Sequence, residues 1–324
     1  MTGTFENFIG IDVAKKKIDV FCSATDKYTV VENAKEDIKR FFQMFKAEET
    51  LVVMENSGGY ESTCIDTLLD CGFTIHRANN NMTKSYITSF GQKAKTDKID
   101  ARGLSDYGRD RCHLLEAYKP PSLVQEKIRE LALYLAALKA DRAKNKNRLQ
   151  SPGLRLIKDN VQQTLESMDK NILDIQKEIE ELIAGQEDLK KKLELMCQYK
   201  GVGKQTAINL LACLPELGEI SGDAIAALAG LVPYAKESGQ TKKYSSTRIG
   251  GRHFVRSTMF MASLSAIRYN RQLSDYYEHL LQMKKKKMVA LVAVMRKMIV
   301  HLNAILRDGY VKEESVIEID KPLG

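Results

Sequence analysis

Four carboxylates in the first third of the chain stand where they could work together. Asp12 follows the apolar run Phe8-Ile9-Gly10-Ile11, and Glu55 closes Leu51-Val52-Val53-Met54 ahead of the breaker Asn56-Ser57-Gly58-Gly59. Runs of this kind read as core strands, which deliver a terminal carboxylate at the sheet's end and keep it out of the interior. Asp97 and Asp100, in Ala94-Lys95-Thr96-Asp97-Lys98-Ile99-Asp100-Ala101, are three residues apart and share one face of a helix. Converging acids repel one another and are tolerated at neutral pH mainly when cations neutralise them. An all-oxygen donor set suits Mg²⁺ or Mn²⁺, and two such ions about 4 Å apart can activate an attacking oxygen and stabilise a leaving one in phosphodiester chemistry. The same residue types at strand ends and helix starts also serve as caps and surface groups, so spacing leaves both readings open.

A second candidate is Ser238, in Lys236-Glu237-Ser238-Gly239-Gln240. A serine before glycine, flanked by cations, can approach a phosphate and attack phosphorus to form a phosphoserine link once a base or a metal activates its hydroxyl. Serine and glycine are equally ordinary turn residues. Between positions 236 and 256 the cations Lys236, Lys242, Lys243, Arg248, Arg252 and Arg256 face one acid, Glu237, which reads as an exposed stretch turned toward phosphate. A third candidate is Gly201-Val202-Gly203-Lys204, where two glycines permit a tight hairpin and the next helix offers its N-terminal amides, with Lys204, to a nucleic-acid backbone. A plain turn between helices fits those glycines as well.

The chain has 324 residues, enough for roughly two or three domains, and 50 Lys plus Arg against 42 Asp plus Glu give a net charge of +8. That sign suits polyanionic partners, nucleic acid first. Cys22, Cys64, Cys71, Cys112, Cys197 and Cys213 form no CxxC pair, so neither a zinc site nor a disulfide framework is spelled out, and a reducing cytoplasm is the simplest home. Residues 1–7 lack a signal peptide's basic start and apolar run. Met288–Leu306 is apolar but carries Arg296, Lys297, His301 and Asn303, and reads as a buried helix with no membrane role. Lys284–Lys287 reads equally as a phosphate contact and as a solvated helix start.

The elements that must position the acids follow from periodicity. Strands are expected at Phe8–Val13, Ile18–Cys22, Tyr28–Val31, Leu51–Met54 and Thr74–His76, with helices over Lys35–Lys46 and Tyr60–Leu69, an α/β layer. After Pro120-Pro121 the texture turns helical. Val124, Ile128, Leu131, Leu135 and Leu138 form one seam. After Ser151-Pro152-Gly153, a second runs from Val161 to Met196 in steps of three and four, with Gln186 its one polar member. As a single helix the second would be roughly 60 Å long, reaching another chain or folding back on the first.

Taken in order, Ile9-Gly10-Ile11-Asp12-Val13-Ala14-Lys15, Glu55-Asn56-Ser57-Gly58-Gly59-Tyr60 and Lys95-Thr96-Asp97-Lys98-Ile99-Asp100-Ala101 resemble the signatures of the DEDD transposases of the insertion-sequence 110 family, relatives of the Piv invertase. Gly201-Val202-Gly203, Leu228-Ala229-Gly230-Leu231-Val232-Pro233, Ser238-Gly239 and Arg248-Ile249-Gly250-Gly251-Arg252 resemble that family's second domain. Asn79-Asn80-Asn81-Met82 stands where the family often has proline.

The resemblance implies a fold of class α/β plus α. A RuvC-like RNase H-fold domain would occupy residues 1–115, a helical coiled coil 116–198, and a small, mainly helical transposase domain 199–324. Asp12, Glu55, Asp97 and Asp100 would hold Mg²⁺ or Mn²⁺, and Ser238 would be the nucleophile. Gly201, Gly203, Lys204, Lys236, Lys242, Lys243, Arg248 and Arg252 would contact nucleic acid. The partners implied are donor and target DNA, a structured bridge RNA that pairs with both, and further copies of the chain in a tetramer whose composite sites join one subunit's acids to another's serine. Two other readings use the same residues: a metal-dependent, structure-selective nuclease in which water replaces Ser238, and a non-catalytic nucleic-acid scaffold.

Overall fold

The computed structural model describes residues 5–91, 96–233, 235–238, 241–244 and 251–310, with backbone alone for Pro152, Leu154, 235–238 and 241–244. It divides into two compact units, Met1–Pro120 and Pro121–Gly324.

In the first unit, β1 (Asn7–Val13), β2 (Lys17–Cys22) and β3 (Lys27–Glu32) form an antiparallel meander, followed by α1 (Lys35–Phe42), β4 (Thr50–Glu55), α2 (Ser62–Asp70), β5 (Thr74–Ala78), α3 (Asn80–Ser89) and α4 (Asp97–Arg111). The strand order is β3-β2-β1-β4-β5, with β1, β4 and β5 mutually parallel. The expected strands are all present, and the expected helix after Lys35 stops at Phe42, four residues early.

Both faces of the central strands are covered, as their near-continuous apolar runs require. Ile9, Ile11, Val52 and Met54 pack with Ile38 and Phe42 of α1 and with Cys64 and Leu68 of α2. The alternate residues Phe8, Leu51 and Val53 pack with Leu104 and Tyr107 of α4 and Tyr86 of α3. Side chains alternate along a strand, and Phe8 pairs with Leu51 and Gly10 with Val53, so Asp12 and Glu55 extend this second set on the face that carries α4.

How close α4 comes is set by glycine. A Cβ on Gly10 would lie 2.0 Å from the Ala101 carbonyl oxygen and 2.3 Å from the Ser105 nitrogen. A Cβ on Gly108 would lie 2.7 Å from Val53 Cγ2. The buried Ser105 hydroxyl donates to the Phe8 carbonyl at 2.7 Å, fixing the helix along β1.

The second unit is built on helices. α5 (Leu123–Leu149) and α6 (Lys158–Ala184) are joined by a short 3₁₀ turn and pack as a hairpin. Their buried residues are Ile128, Ala132, Leu135 and Leu138 on α5, and Leu165, Ile172, Ile179 and Ile183 on α6. The second seam thus folds back on the first. It is not one helix: α6 ends with Gly185 as C-cap, and Gln186 caps α7 (Glu187–Gln198) in extended conformation. Glycine disfavours a helix interior, and Gln186 offers no apolar burial to hold the seam straight.

The remaining elements are α8 (Lys204–Cys213), α9 (Gly222–Leu228), the hairpin β6 (Ala235–Ser238) and β7 (Thr241–Tyr244), α10 (His253–Tyr269), α11 (Arg271–Gln282) and α12 (Lys287–Asp308). α12 is long and apolar enough to cross a membrane, but Val294, Met295, Met298, Ile299, Leu302 and Ile305 are buried in the helical core, as the sequence leads one to expect.

Gly10→Ala should be severely destabilising, by about 3 kcal/mol or more, because both nearest atoms are backbone and cannot rotate away. Gly153→Ala, with no atom within 4 Å of the added carbon, should cost under about 1 kcal/mol. Urea denaturation of the two variants measures the contrast.

Candidate active site

The first unit brings the four sequence-selected acids into one electrostatic neighbourhood. Asp12 lies one residue before the end of β1, and Glu55 is the last residue of β4. Asp97 and Asp100 occupy the first turn of α4, where the helix dipole favours negative charge, and the Thr96 hydroxyl caps that turn by accepting from the Ile99 N–H. Burial, then the charges of Asp100, Asp97, Asp19 and Glu55, push the Asp12 carboxyl up to about 6. Burial disfavours the ionised form, and the four like charges, which raise the carboxyl further, are what a cation here would offset.

Asp19, which the sequence reading passed over, is the fifth acid. It sits directly across from Asp12 in the β1–β2 register and is 1% exposed. The Tyr28 hydroxyl donates to its Oδ1, and Lys17 Nζ lies 3.0 Å from its Oδ2. The same ammonium reaches Asp97 Oδ2 at 2.8 Å, and these two partners hold Lys17 above its ordinary pKa. A charged residue inside the apolar run Ile18-Asp19-Val20-Phe21 was the available signal.

Glu55 is held from α3, a helix the sequence reading did not identify. Asn79, in the segment that departs from the family's usual proline, caps α3 by accepting from the Asn81 N–H at 2.9 Å. One turn on, the Thr83 hydroxyl donates to Glu55 Oε1. The Asn56–Tyr60 breaker is wound around a buried carboxylate: Glu61 Oε2 accepts from the Ser57 N–H at 3.1 Å, the Ser57 hydroxyl at 2.7 Å and the Gly59 N–H at 2.8 Å. Its Oε1 accepts from Arg77 at 2.8 Å. Gly58 and Gly59, at φ +77° and +107°, supply the left-handed conformations this winding needs.

The donor chemistry fits a hard divalent cation, since the groups that raise one another's charge burden are all carboxylates. As they stand, no three His, Cys, Asp or Glu side chains among the described residues close to metal-binding geometry, and Lys17 supplies part of the neutralisation.

The second unit holds the other candidates. Ser238 is the last residue of β6, opposite Thr241, while its side chain, Gly239, Gln240 and Arg248 lie outside the described residues. In the hairpin register Lys236 pairs with Lys243 and Glu237 with Lys242. Arg252, expected against phosphate, commits its guanidinium within the fold: it bonds both carboxylate oxygens of Glu216 at 2.5 and 2.6 Å and the Cys213 carbonyl at 2.9 Å. Gly251, at φ +74°, lies so close to Gly230 that a Cβ would sit 2.3 Å from its Cα. The basic hairpin segment therefore leaves and re-enters the helical core at one anchored point.

Gly201, at φ +103°, packs on Ala266. Gly203 is the N-cap of α8, with no side-chain cap and open space around it. Lys204 is paired with Glu180 at 2.8 Å.

Two family profiles match this chain. One, the DEDD domain of IS110 elements, described as a transposase, covers residues 9–157; the other, described as "Transposase IS116/IS110/IS902 family", covers residues 193–278. The chain belongs to the IS110 family of transposases. It is thereby a DNA transposase or recombinase with a RuvC-like DEDD domain, and membership implies the use of a divalent metal. Asp12, Glu55, Asp97 and Asp100 fall inside the first match, and Ser238 falls inside the second. Two curated relatives, the pilin gene-inverting proteins of Moraxella lacunata and Moraxella bovis, are each 24% identical, over 94% of this chain and 97% of their own length.

Because the Asp12 carboxyl is raised, the native state holds that proton more tightly than the unfolded chain does, and its share of stability is lost as pH rises from about 4 to about 6. Asp12→Asn should therefore stabilise the metal-free transposase at pH 7, by at most about 3 kcal/mol, and change little at pH 4. Chemical denaturation in chelator at the two pH values tests the sign.

Proposed function

We propose that this transposase cuts and rejoins DNA strands through a covalent serine link, with Asp12, Glu55, Asp97 and Asp100 as the metal-holding residues and Ser238 as the nucleophile. The observation that carries the reading is the gathering of carboxylates around Asp12, whose own carboxyl is pushed up by burial and then by the charges of Asp100, Asp97, Asp19 and Glu55. A bound divalent ion supplies Lewis acidity and charge neutralisation at the scissile phosphate. Around it, Thr83 and Lys17 would orient Glu55 and Asp97, and the Gly10 contact supports the reading by keeping α4 close against β1.

In the cleavage step the Ser238 oxygen forms a bond to phosphorus, the bond from phosphorus to the deoxyribose 3′-oxygen breaks, and that oxygen leaves as a 3′-hydroxyl while Ser238 gives up its proton. The 5′-phosphoserine link conserves the phosphodiester's free energy. A 3′-hydroxyl from a second strand then displaces Ser238 without ATP. Lys236, Lys242, Lys243 and the uncapped N-terminus of α8 at Gly203 neutralise phosphates and carry no sequence information. Sequence choice falls to a structured bridge RNA that pairs with donor and target DNA. The curated relatives are named for inverting a pilin gene, which accords with strand exchange between two sites. In this reading the chain acts as a tetramer whose composite sites join one subunit's acids to another's serine.

A suicide DNA substrate incubated with full-length protein and Mn²⁺ should give a covalent protein–DNA adduct, lost in both Ser238→Ala and Asp12→Ala. Recombination by Ser238→Ala at the native rate would refute the covalent step, and cut ends without adduct would put water in the serine's place. Sequencing co-purified nucleic acid should recover one structured RNA species.

A further inference from the structure

The acid cluster already contains a cation of its own. Lys17 Nζ spans from Asp19 Oδ2, 3.0 Å away on its own strand, to Asp97 Oδ2, 2.8 Å away in the first turn of α4. The two ends of this bridge differ. Asp19 is 1% exposed with its second oxygen bound by the Tyr28 hydroxyl, so it is fixed, whereas the side chains of Lys17 and Asp97 are 44% and 56% exposed. A metal ion bound to Asp97 would compete with the ammonium for the same carboxylate charge, and directly for Oδ2 if it bound through both oxygens. The neighbouring Lys15 and Lys16 are exposed, and no ion pair is seen for either among the described residues.

We propose that Lys17 is an internal counter-ion of the acid cluster: it holds Asp97 in place in the metal-free protein, gives way when a divalent cation binds, and thereby sets how tightly the site takes its metal. It is a positioning residue acting through Asp97. The inference rests on the metal-site reading above and adds to it a competitor encoded in the β1–β2 hairpin. When the ion enters, the ammonium is released from Asp97 but stays tethered to Asp19 at the rim of the site.

Equilibrium Mn²⁺ titration of the full-length protein, read by the electron paramagnetic resonance signal of free Mn²⁺, tests this without any turnover. Lys17→Gln should bind Mn²⁺ roughly tenfold more tightly than the native protein, the scale of one unit charge removed from a partly solvated site. Lys16→Gln, which removes the same charge at an exposed position, should shift affinity less than about twofold, and Lys17→Arg should stay near native. Lysine acetylation followed by mass spectrometry supplies a readout on the unmutated protein: labelling of Lys17 should rise several-fold on adding Mn²⁺ while Lys16 is unchanged. Equal affinities for Lys17→Gln and Lys16→Gln, or Lys17 labelling indifferent to Mn²⁺ that binds, would overturn the inference and leave the metal site standing. No Mn²⁺ binding by the native protein would overturn both.

Discussion

The contact between α4 and β1 at Gly10 is the constraint on which the first unit depends. Two of the acids come from strand ends and two from a helix turn, and nothing in the chain's connectivity brings them together. The absence of a side chain at Gly10 lets the backbone of Ala101 and Ser105 lie directly on the strand, and the Ser105 hydroxyl locks the pair through the Phe8 carbonyl. Moving α4 outward by the thickness of one methyl would carry Asp97 and Asp100 away from Asp12. The motif Ile9-Gly10-Ile11-Asp12 therefore encodes two things at once: a carboxylate, and the space two residues earlier that lets its partners approach.

Gathering like charges works against stability, and the surroundings show how that is contained. Specific donors hold several of the acids: Tyr28 and Lys17 hold Asp19, Thr83 holds Glu55 and Lys17 holds Asp97. The Asp12 carboxyl is raised first by its burial and then by the negative charges of Asp100, Asp97, Asp19 and Glu55. The Glu55 loop is kept in shape by a different device, a buried Glu61 that satisfies two backbone N–H groups, a serine hydroxyl and Arg77. Such a carboxylate satisfies the loop's polar groups from within the fold.

The second unit uses the same economy of small residues and paired charges for another end. Gly230 and Gly251 touch backbone to backbone, Arg252 ties the returning chain to Glu216 and to the end of α8, and its N–H bonds the Leu228 carbonyl at 2.8 Å. The basic hairpin with Ser238 is thus anchored at its base. Arg252 shows how a cation in a basic run can serve the fold. A bidentate carboxylate pair and a carbonyl take three of its five N–H donors.

Much of this molecule was legible in the residues alone. Alternating and continuous apolar runs located all five strands of the sheet, the strand-end position of Asp12 and Glu55 followed from them, and a three-residue spacing put Asp97 and Asp100 on one helical turn. The order of the motifs identified the family. What the residues could not show was everything decided by contacts across long separations. Lys17 meets Asp97 from 80 positions away, Thr83 meets Glu55 from 28, and Arg252 meets Glu216 from 36. Asp19 joins the acids through strand register, α3 is held by an asparagine cap and burial with no strong period of its own, and the long seam breaks at Gly185-Gln186, where the three-and-four spacing runs on unbroken. Periodicity and spacing are local properties, so sequence determined which elements form and which residues they present. Register, close approach and counter-charge are properties of the packed chain, and only the tertiary structure decided which of those residues meet.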